Sequence, residues 1–144
     1  MKNDTGISAV LDTRILVSYL LTQGETLSSI VDHWQQGRFV VVASLPVLGE
    51  LIEVVARPCL RHVMSADPQA LFDAIEQGAI LVPGELFLSV LTRDPTNDIF
   101  IACAVEGEAD YLVTSSTELL NLGSYKSVQM IAPAAFLQIL DGIE

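Results

Sequence analysis

Short, nearly unbroken apolar runs recur along this chain, and they constrain its fold more than any other feature. Five runs rich in valine, isoleucine and leucine are separated by longer stretches of mixed polarity. Such runs are typical of parallel strands that are buried on both faces, whereas strands with one solvated face alternate apolar and polar residues. The predicted strands cover residues 7–11, 39–43, 79–82, 109–113 and 128–131.

The stretches between these strands have helical periodicity and recognisable helix starts. Pro68 and Pro133 stand where the first turn of a helix would lie, and a proline there loses no intrahelical hydrogen bond. The alternation of strands and helices predicts an α/β fold, a three-layer α/β/α sandwich around a mainly parallel central sheet. The predicted helices cover residues 14–21, 26–35, 45–56, 68–76, 97–106 and 133–140.

The composition predicts one domain over residues 1–144, with residues 1–6 as a flexible N-terminus. Of the 144 residues, 51% are hydrophobic, which is enough for a sizeable core. The longest apolar runs are far shorter than the roughly 20 residues of a membrane-spanning helix. The polar start is not followed by the apolar stretch of a secretory signal, so we expect a soluble, cytoplasmic protein with no membrane association.

The net charge argues against tight, non-specific binding of RNA. The chain carries a charge of -11 and only seven basic residues, with no Lys/Arg stripe along any predicted helix. Proteins that hold nucleic acid usually neutralise phosphates with a basic face. Acidic clusters can nevertheless recruit divalent metal ions, and an acidic surface suits a basic peptide partner.

Polar and acidic side chains follow the ends of several predicted strands. Each of these side chains has a simple structural explanation. Asp12 could cap the first helix, and Asn97 or Asp98 could cap the helix that runs to residue 106. Ser115 and Glu118 form the pattern of a capping box, with Ser115 as the cap and Glu118 reaching back. Together they place polar groups after the carboxyl ends of the strands, where ligands bind in open α/β sheets.

Glu50 lies at the border of the apolar stripe of its predicted helix, whereas Glu53 points to the opposite side. Its carboxylate could therefore lean over the edge of the core towards the strand ends, although on spacing alone a boundary glutamate in solvent is the simpler interpretation. The stripe consists of Val47, Leu48, Leu51, Val54 and Val55.

Several segments, in the right order from about residue 9 to residue 140, resemble the PIN family. This family comprises metal-dependent ribonucleases and includes many bacterial toxin components. The similar segments are a helix that carries a glutamate before Arg57-Pro58, the Arg93-Asp94-Pro95-Thr96-Asn97-Asp98 helix start, the Ala109-Asp110-Tyr111-Leu112-Val113-Thr114 strand with the residues up to 120, and a proline-containing final helix at 131–137.

The resemblance implies a cluster of acids that holds Mg²⁺ or Mn²⁺, which activates water for attack on a phosphodiester. By position, Asp12 is the first acid of the cluster and Glu50 the second. The third position holds Asn97, with Asp98 beside it, as though the order of the family's Asp-Asn pair were reversed. The fourth position holds Ser116 where the family has an aspartate.

The charges at these positions are unfavourable for a metal ion. The family pattern carries about -4 at the four positions, whereas Asp12 and Glu50 give about -2 here. Arg14 replaces the asparagine that usually follows Asp-Thr in the family. If Arg14 turns inward, its guanidinium can pair with Asp12 and take the place of the ion.

Two functional hypotheses follow from these residues. In one, the protein is a PIN-fold binding module with a degenerate metal site, which acts through a protein partner or weakly with RNA. In the other, it is a Mg²⁺-dependent endoribonuclease in which Asp12, Glu50 and Asp98 are both the catalytic residues and the metal ligands. A toxin role would imply a small antitoxin that covers the acidic cleft. Residues 86–88 and 90–91 could also form a homodimer face, although core burial explains them equally well.

Overall fold

A central sheet organises the chain, for which the computed structural model describes residues 6–88 and 92–143. The strands occur in the order β3-β2-β1-β4-β6-β5, and every pair is parallel except the antiparallel pair of β5 and β6. The carboxyl ends of the parallel strands therefore meet at one edge. The strands are β1 (Ser8–Leu11), β2 (Val40–Ser44), β3 (Ile80–Val82), β4 (Tyr111–Val113), β5 (Ser124–Tyr125) and β6 (Val128–Ile131).

Helices cover both faces of this sheet. Ala9 and Leu11 of β1 point into one buried cluster, and Val10 between them points into the other. This alternation confirms the predicted α/β sandwich, because both faces of the strand are apolar and both are covered. The helices are α1 (Thr13–Thr22), α2 (Glu25–Gln35), α3 (Leu45–Val55), α4 (Pro58–Arg61), α5 (Pro68–Gly78), α6 (Pro95–Glu106), α7 (Thr117–Leu122) and α8 (Pro133–Asp141).

All five predicted strands and all six predicted helices are present, with small differences at their ends. The prediction omitted β5, α4 and α7, which are too short to show a clear periodicity. Pro68 and Pro133 lie in the first turns of their helices, as predicted. Residues 1–5 of the predicted flexible N-terminus lie outside the described ranges. Residues 90–91 of the predicted dimer face lie outside them as well.

Two predicted helix caps are wrong. The N-cap of α6 is Asp94, whose carboxylate accepts a hydrogen bond from the Thr96 backbone at 2.9 Å, so neither Asn97 nor Asp98 caps the helix. The helix begins earlier than predicted because Pro95 suits its first turn. The N-cap of α7 is Ser116 rather than Ser115, with its hydroxyl 3.4 Å from the Leu119 backbone nitrogen.

No helix within residues 6–88 and 92–143 combines the length and the apolar character that crossing a membrane requires.

Close packing of α6 against β2 depends on Gly107. A Cβ at this position would lie 2.3 Å from Cγ1 of Val42, a stiff, buried side chain. We therefore expect Gly107→Ala to lower the free energy of unfolding by about 1–3 kcal/mol through overpacking, measured by urea denaturation. Gly49→Ala is the matched control, because a Cβ in this helical position meets nothing within 4 Å. It should stabilise the protein by about 0.5–1 kcal/mol, and equal effects of the two changes would contradict the packing argument.

Candidate functional site at the carboxyl end of the sheet

Asp12 lies where β1 meets α1, at the centre of the carboxyl edge of the sheet. Its side chain is fully buried and its carboxylate accepts a hydrogen bond from the Arg14 backbone at 2.8 Å, which confirms Asp12 as the N-cap of α1. The hydroxyl of Thr114, just beyond β4, donates to Asp12 Oδ2 at 2.6 Å. Two neighbouring strand ends are thus joined by one carboxylate.

The guanidinium of Arg14 turns inward onto this carboxylate. Its Nε lies 3.1 and 3.0 Å from the two carboxylate oxygens of Asp12, and its Nη2 lies 2.6 Å from Oδ2. The same Nη2 donates to the side-chain oxygen of Asn97, and Nη1 lies 3.9 Å from Asp94. The guanidinium also stands 5.8 Å from the ring centre of Phe100. A fixed positive charge therefore occupies the space between the first and third positions of the acid pattern.

Asn97 continues the network towards α7. Its amide nitrogen donates to Glu118 at 3.0 Å and lies 3.4 Å from the Ser116 hydroxyl. The other carboxylate oxygen of Glu118 accepts from the Arg93 backbone at 2.8 Å. Glu118 therefore bridges two segments and does not reach back over the start of its own helix.

Asp98 faces away from this network. Although it is only 5% exposed, its Oδ1 accepts hydrogen bonds from the backbone nitrogen and the hydroxyl of Thr92, at 2.9 and 3.0 Å. It lines a different cavity, together with Ser44 and Pro46. Adjacent helical residues point about 100° apart, which explains why Asp98 and Asn97 lie on different sides of α6. The structure does not bring Asp98 together with Asp12.

Glu50 does share a cavity with Asp12 and Arg14. This cavity has a volume of about 380 Å³. Glu50 is half-buried at its wall, and its side chain has no hydrogen bond or ion pair with the described residues. Apolar side chains supply much of the remaining wall, namely Val17, Leu21, Val54 and Phe100.

The carboxylate oxygens of Asp12 already have hydrogen-bond donors in this arrangement. Both oxygens of Asp12 already accept hydrogen bonds from Arg14, and one also accepts from Thr114. Within the described ranges, no three or more Asp, Glu, His or Cys side chains are grouped so that they could hold a metal. A hard cation needs several free oxygen ligands, and in this arrangement the guanidinium occupies those of Asp12.

Thr114 was not among the residues predicted for the site. Its position directly after a central parallel strand could have indicated a role, because ligands bind at that edge of the sheet. Its role depends on the pairing of β1 with β4, which brings it beside Asp12. That pairing joins residues far apart in the chain and has no local signature.

Removal of the Thr114 hydroxyl should weaken the fold measurably. We expect Thr114→Val to lower the free energy of unfolding by about 1–3 kcal/mol, because the buried Asp12 carboxylate loses a hydrogen-bond donor. The measurement is chemical denaturation. Thr117→Val is the matched control, since Thr117 is exposed at the start of α7 and should change the stability by less than about 0.5 kcal/mol. Equal stability of the two variants would mean that Thr114 contributes no net stability.

A comparison with known protein families agrees with this architecture. A family model described as PIN domain matches residues 8–118, which include Asp12, Glu50, Asn97 and Ser116. No curated protein matches the chain. With most of its length matched and a mostly parallel sheet flanked by helices, the chain belongs to the PIN-domain family, a family of nuclease-type domains.

Proposed function

We propose that this protein is a PIN-fold binding module whose metal site is degenerate and which does not cleave RNA by metal catalysis. The observation that carries the proposal is the pairing of Arg14 with both carboxylate oxygens of Asp12. A bidentate guanidinium holds a carboxylate with geometry as well as charge, and it cannot bind or activate water as a Lewis acid does.

The other positions of the acid pattern support the same conclusion. Asn97 and Ser116 are neutral, and each is occupied by hydrogen bonds within the site. Asp98 is held by Thr92 beside another cavity. The four positions of the pattern therefore carry fewer negative charges here than in the family, and the two that are anionic, Asp12 and Glu50, are accompanied by a permanent cation.

A protein partner suits such a module better than RNA does. The net charge of -11 opposes a polyphosphate chain, whereas it favours a basic peptide. The resemblance to toxin components makes a small antitoxin the natural type of partner, in the cytoplasm, bound over the acidic cleft that holds Asp12 and Glu50.

A second candidate function is that of a Mg²⁺- or Mn²⁺-dependent endoribonuclease that uses Asp12, Glu50 and Asp98. One observation favours it. Glu50 has no partner among the described residues and faces the same cavity as Asp12. This candidate requires Arg14 to leave Asp12 and Asp98 to leave Thr92, so that two sets of hydrogen bonds must break before a metal could bind.

Calorimetric titration with Mn²⁺ distinguishes the two functions. We expect no saturable binding by the wild-type protein, and none by Asp12→Asn. The triple variant Arg14→Asn, Asn97→Asp, Ser116→Asp should bind Mn²⁺ saturably, at least about tenfold more tightly than the detection limit that the wild type sets, because it restores the acids and removes the cation. Its matched control carries Arg57→Asn in place of Arg14→Asn. Arg57 lines the same cavity but pairs with the exposed Glu53, so the control has the same net charge and keeps the pair of Arg14 with Asp12.

A cleavage assay on single-stranded RNA with Mg²⁺ or Mn²⁺ completes the test. We expect no cleavage by the wild-type protein above the background of Asp12→Asn. Because Asp12 also caps α1, thermal melting must show that Asp12→Asn is folded. Cleavage by the wild type that a folded Asp12→Asn lacks would overturn the binding-module proposal in favour of the ribonuclease. An equal gain in Mn²⁺ affinity by the triple variant and its control would show that Arg14 does not block the site.

A further inference from the structure

A second cavity, of about 560 Å³, lies on the other side of α6 from the Asp12 cavity. Helix α6 turns Phe100 towards the first cavity and Ile99 and Ala102 towards the second. The opposite wall of the second cavity is the chain segment 84–88, which follows β3 at the edge of the sheet. We refer to this cavity, between α6 and residues 84–88, as the apolar groove.

Two specific contacts hold residues 84–88 in place. Gly84 has a φ of +83°, and a Cβ at this position would lie 2.3 Å from Cδ of Pro46, so only glycine allows this approach. The carboxylate of Glu106 accepts hydrogen bonds from the backbone nitrogens of Glu85 and Leu86, at 3.3 and 3.4 Å. The segment is therefore tied to α3 on one side and to α6 on the other.

This arrangement keeps large apolar side chains in water at the rim of the groove. Phe87 is 84% exposed and Leu86 is 36% exposed, although an apolar cavity lies beside them. A segment with specific anchors that presents an aromatic ring to solvent is typical of a contact surface for another molecule.

The groove has the features of a binding surface and lacks those of a catalytic centre. Cys103 lines it, but burial raises the pKa of this thiol to about 12, and the charge of Glu106 adds to the effect. A thiol with such a pKa stays protonated at neutral pH and is a poor nucleophile. The carboxylate of Asp98 is likewise occupied by Thr92.

The charges around the groove identify the chemistry of its occupant. Asp98 and Glu106 line it, Glu85 lies on the adjoining segment, and no Lys, Arg or His is among the described residues that line it. A second copy of this chain has the same acidic groove and a net charge of -11, so like charges oppose its approach to this surface. A partner with basic side chains gains from these carboxylates instead.

The backbone hydrogen bonds of residues 84–88 indicate whether the bound segment is a strand or a helix. The backbone nitrogens of Glu85 and Leu86 already donate to Glu106, so they are not free to pair with an added strand. An amphipathic helix needs no backbone donors from the groove, since its own hydrogen bonds are internal, and it presents apolar side chains along one face.

We propose that the apolar groove binds an amphipathic helix of a partner protein, with apolar side chains against Phe87 and Ile99 and lysine or arginine beside Glu85 and Glu106. This inference rests on the proposed function, because a chain that does not cleave RNA acts through what it binds. It adds a surface distinct from the cleft of Asp12 and Glu50, on the other side of α6.

The test uses a fluorescein-labelled helical peptide of leucine and lysine, with a peptide of leucine and glutamate in the same pattern as the charge control. Fluorescence anisotropy of the full-length protein at physiological salt should show saturable binding of the lysine peptide alone. Phe87→Ser should weaken this binding at least about tenfold, since it removes an aromatic anchor. Gly84→Ala should weaken it as well, because a Cβ there displaces residues 84–88 from Pro46.

Val63→Ser is the matched control. Val63 is 60% exposed, lies outside the helices and lines neither cavity, so the change should leave the affinity within about twofold of the wild type. Thermal melting verifies that each variant is folded. Absence of saturable binding, or an equal loss in Val63→Ser and Phe87→Ser, would overturn the proposal.

Two further outcomes separate this proposal from its alternatives. If sedimentation shows a wild-type dimer that Phe87→Ser dissociates, the groove is an interface between two copies and the proposal is wrong. If the lysine peptide binds as expected but the protein cleaves RNA in the Asp12-dependent manner, the groove proposal stands and only the absence of catalysis is overturned.

Discussion

The ion pair between the buried Asp12 carboxylate and the partly exposed Arg14 guanidinium is the interaction on which the carboxyl edge of the sheet depends. A fully buried carboxylate is costly unless it is paired and hydrogen-bonded, and Asp12 obtains its partners from three sources. Thr114 follows β4, the Arg14 backbone belongs to the first turn of α1, and the guanidinium extends to Asn97 on α6. One charge thus orients a strand end and two helix starts, and the same contacts occupy the place where the family pattern has its cation.

The sequence predicted the sheet and its helices because each element carries its own periodicity. Nearly unbroken apolar runs such as that of β1 are typical of strands covered on both faces, and the structure covers them. Helix caps were harder to predict, because several candidate residues follow one another at the start of α6. Asp94 serves as the cap because Pro95 favours the first turn, and Asn97 and Asp98 then lie within the helix and point about 100° apart.

The candidate site could be located from the sequence, and so could the pairing of Arg14 with Asp12, but its other contacts could not. Asp12, Glu50, Asn97 and Ser116 follow from position in the pattern, and the structure brings Asp12, Asn97 and Ser116 into one network through Arg14 and Glu118, with Glu50 on the wall of the adjoining cavity. The contact of Glu118 with Asn97 joins α7 to α6, and that of Asp98 with Thr92 joins α6 to the residue three before its start. Such contacts are set by tertiary packing, which no local spacing encodes.

A cation supplied by the chain itself has an evolutionary consequence that a bound ion lacks. A metal can be lost and regained by changes in its concentration, whereas Arg14 is present in every copy of the folded protein. Replacement of Arg14 alone leaves a buried carboxylate short of its partner, and replacement of Asp12 alone removes the cap of α1 and the acceptor of the Thr114 hydroxyl. Each single step away from the pair is therefore destabilising, and a change to four acidic positions requires several coordinated substitutions. The pair thus restricts which single substitutions this edge of the sheet tolerates.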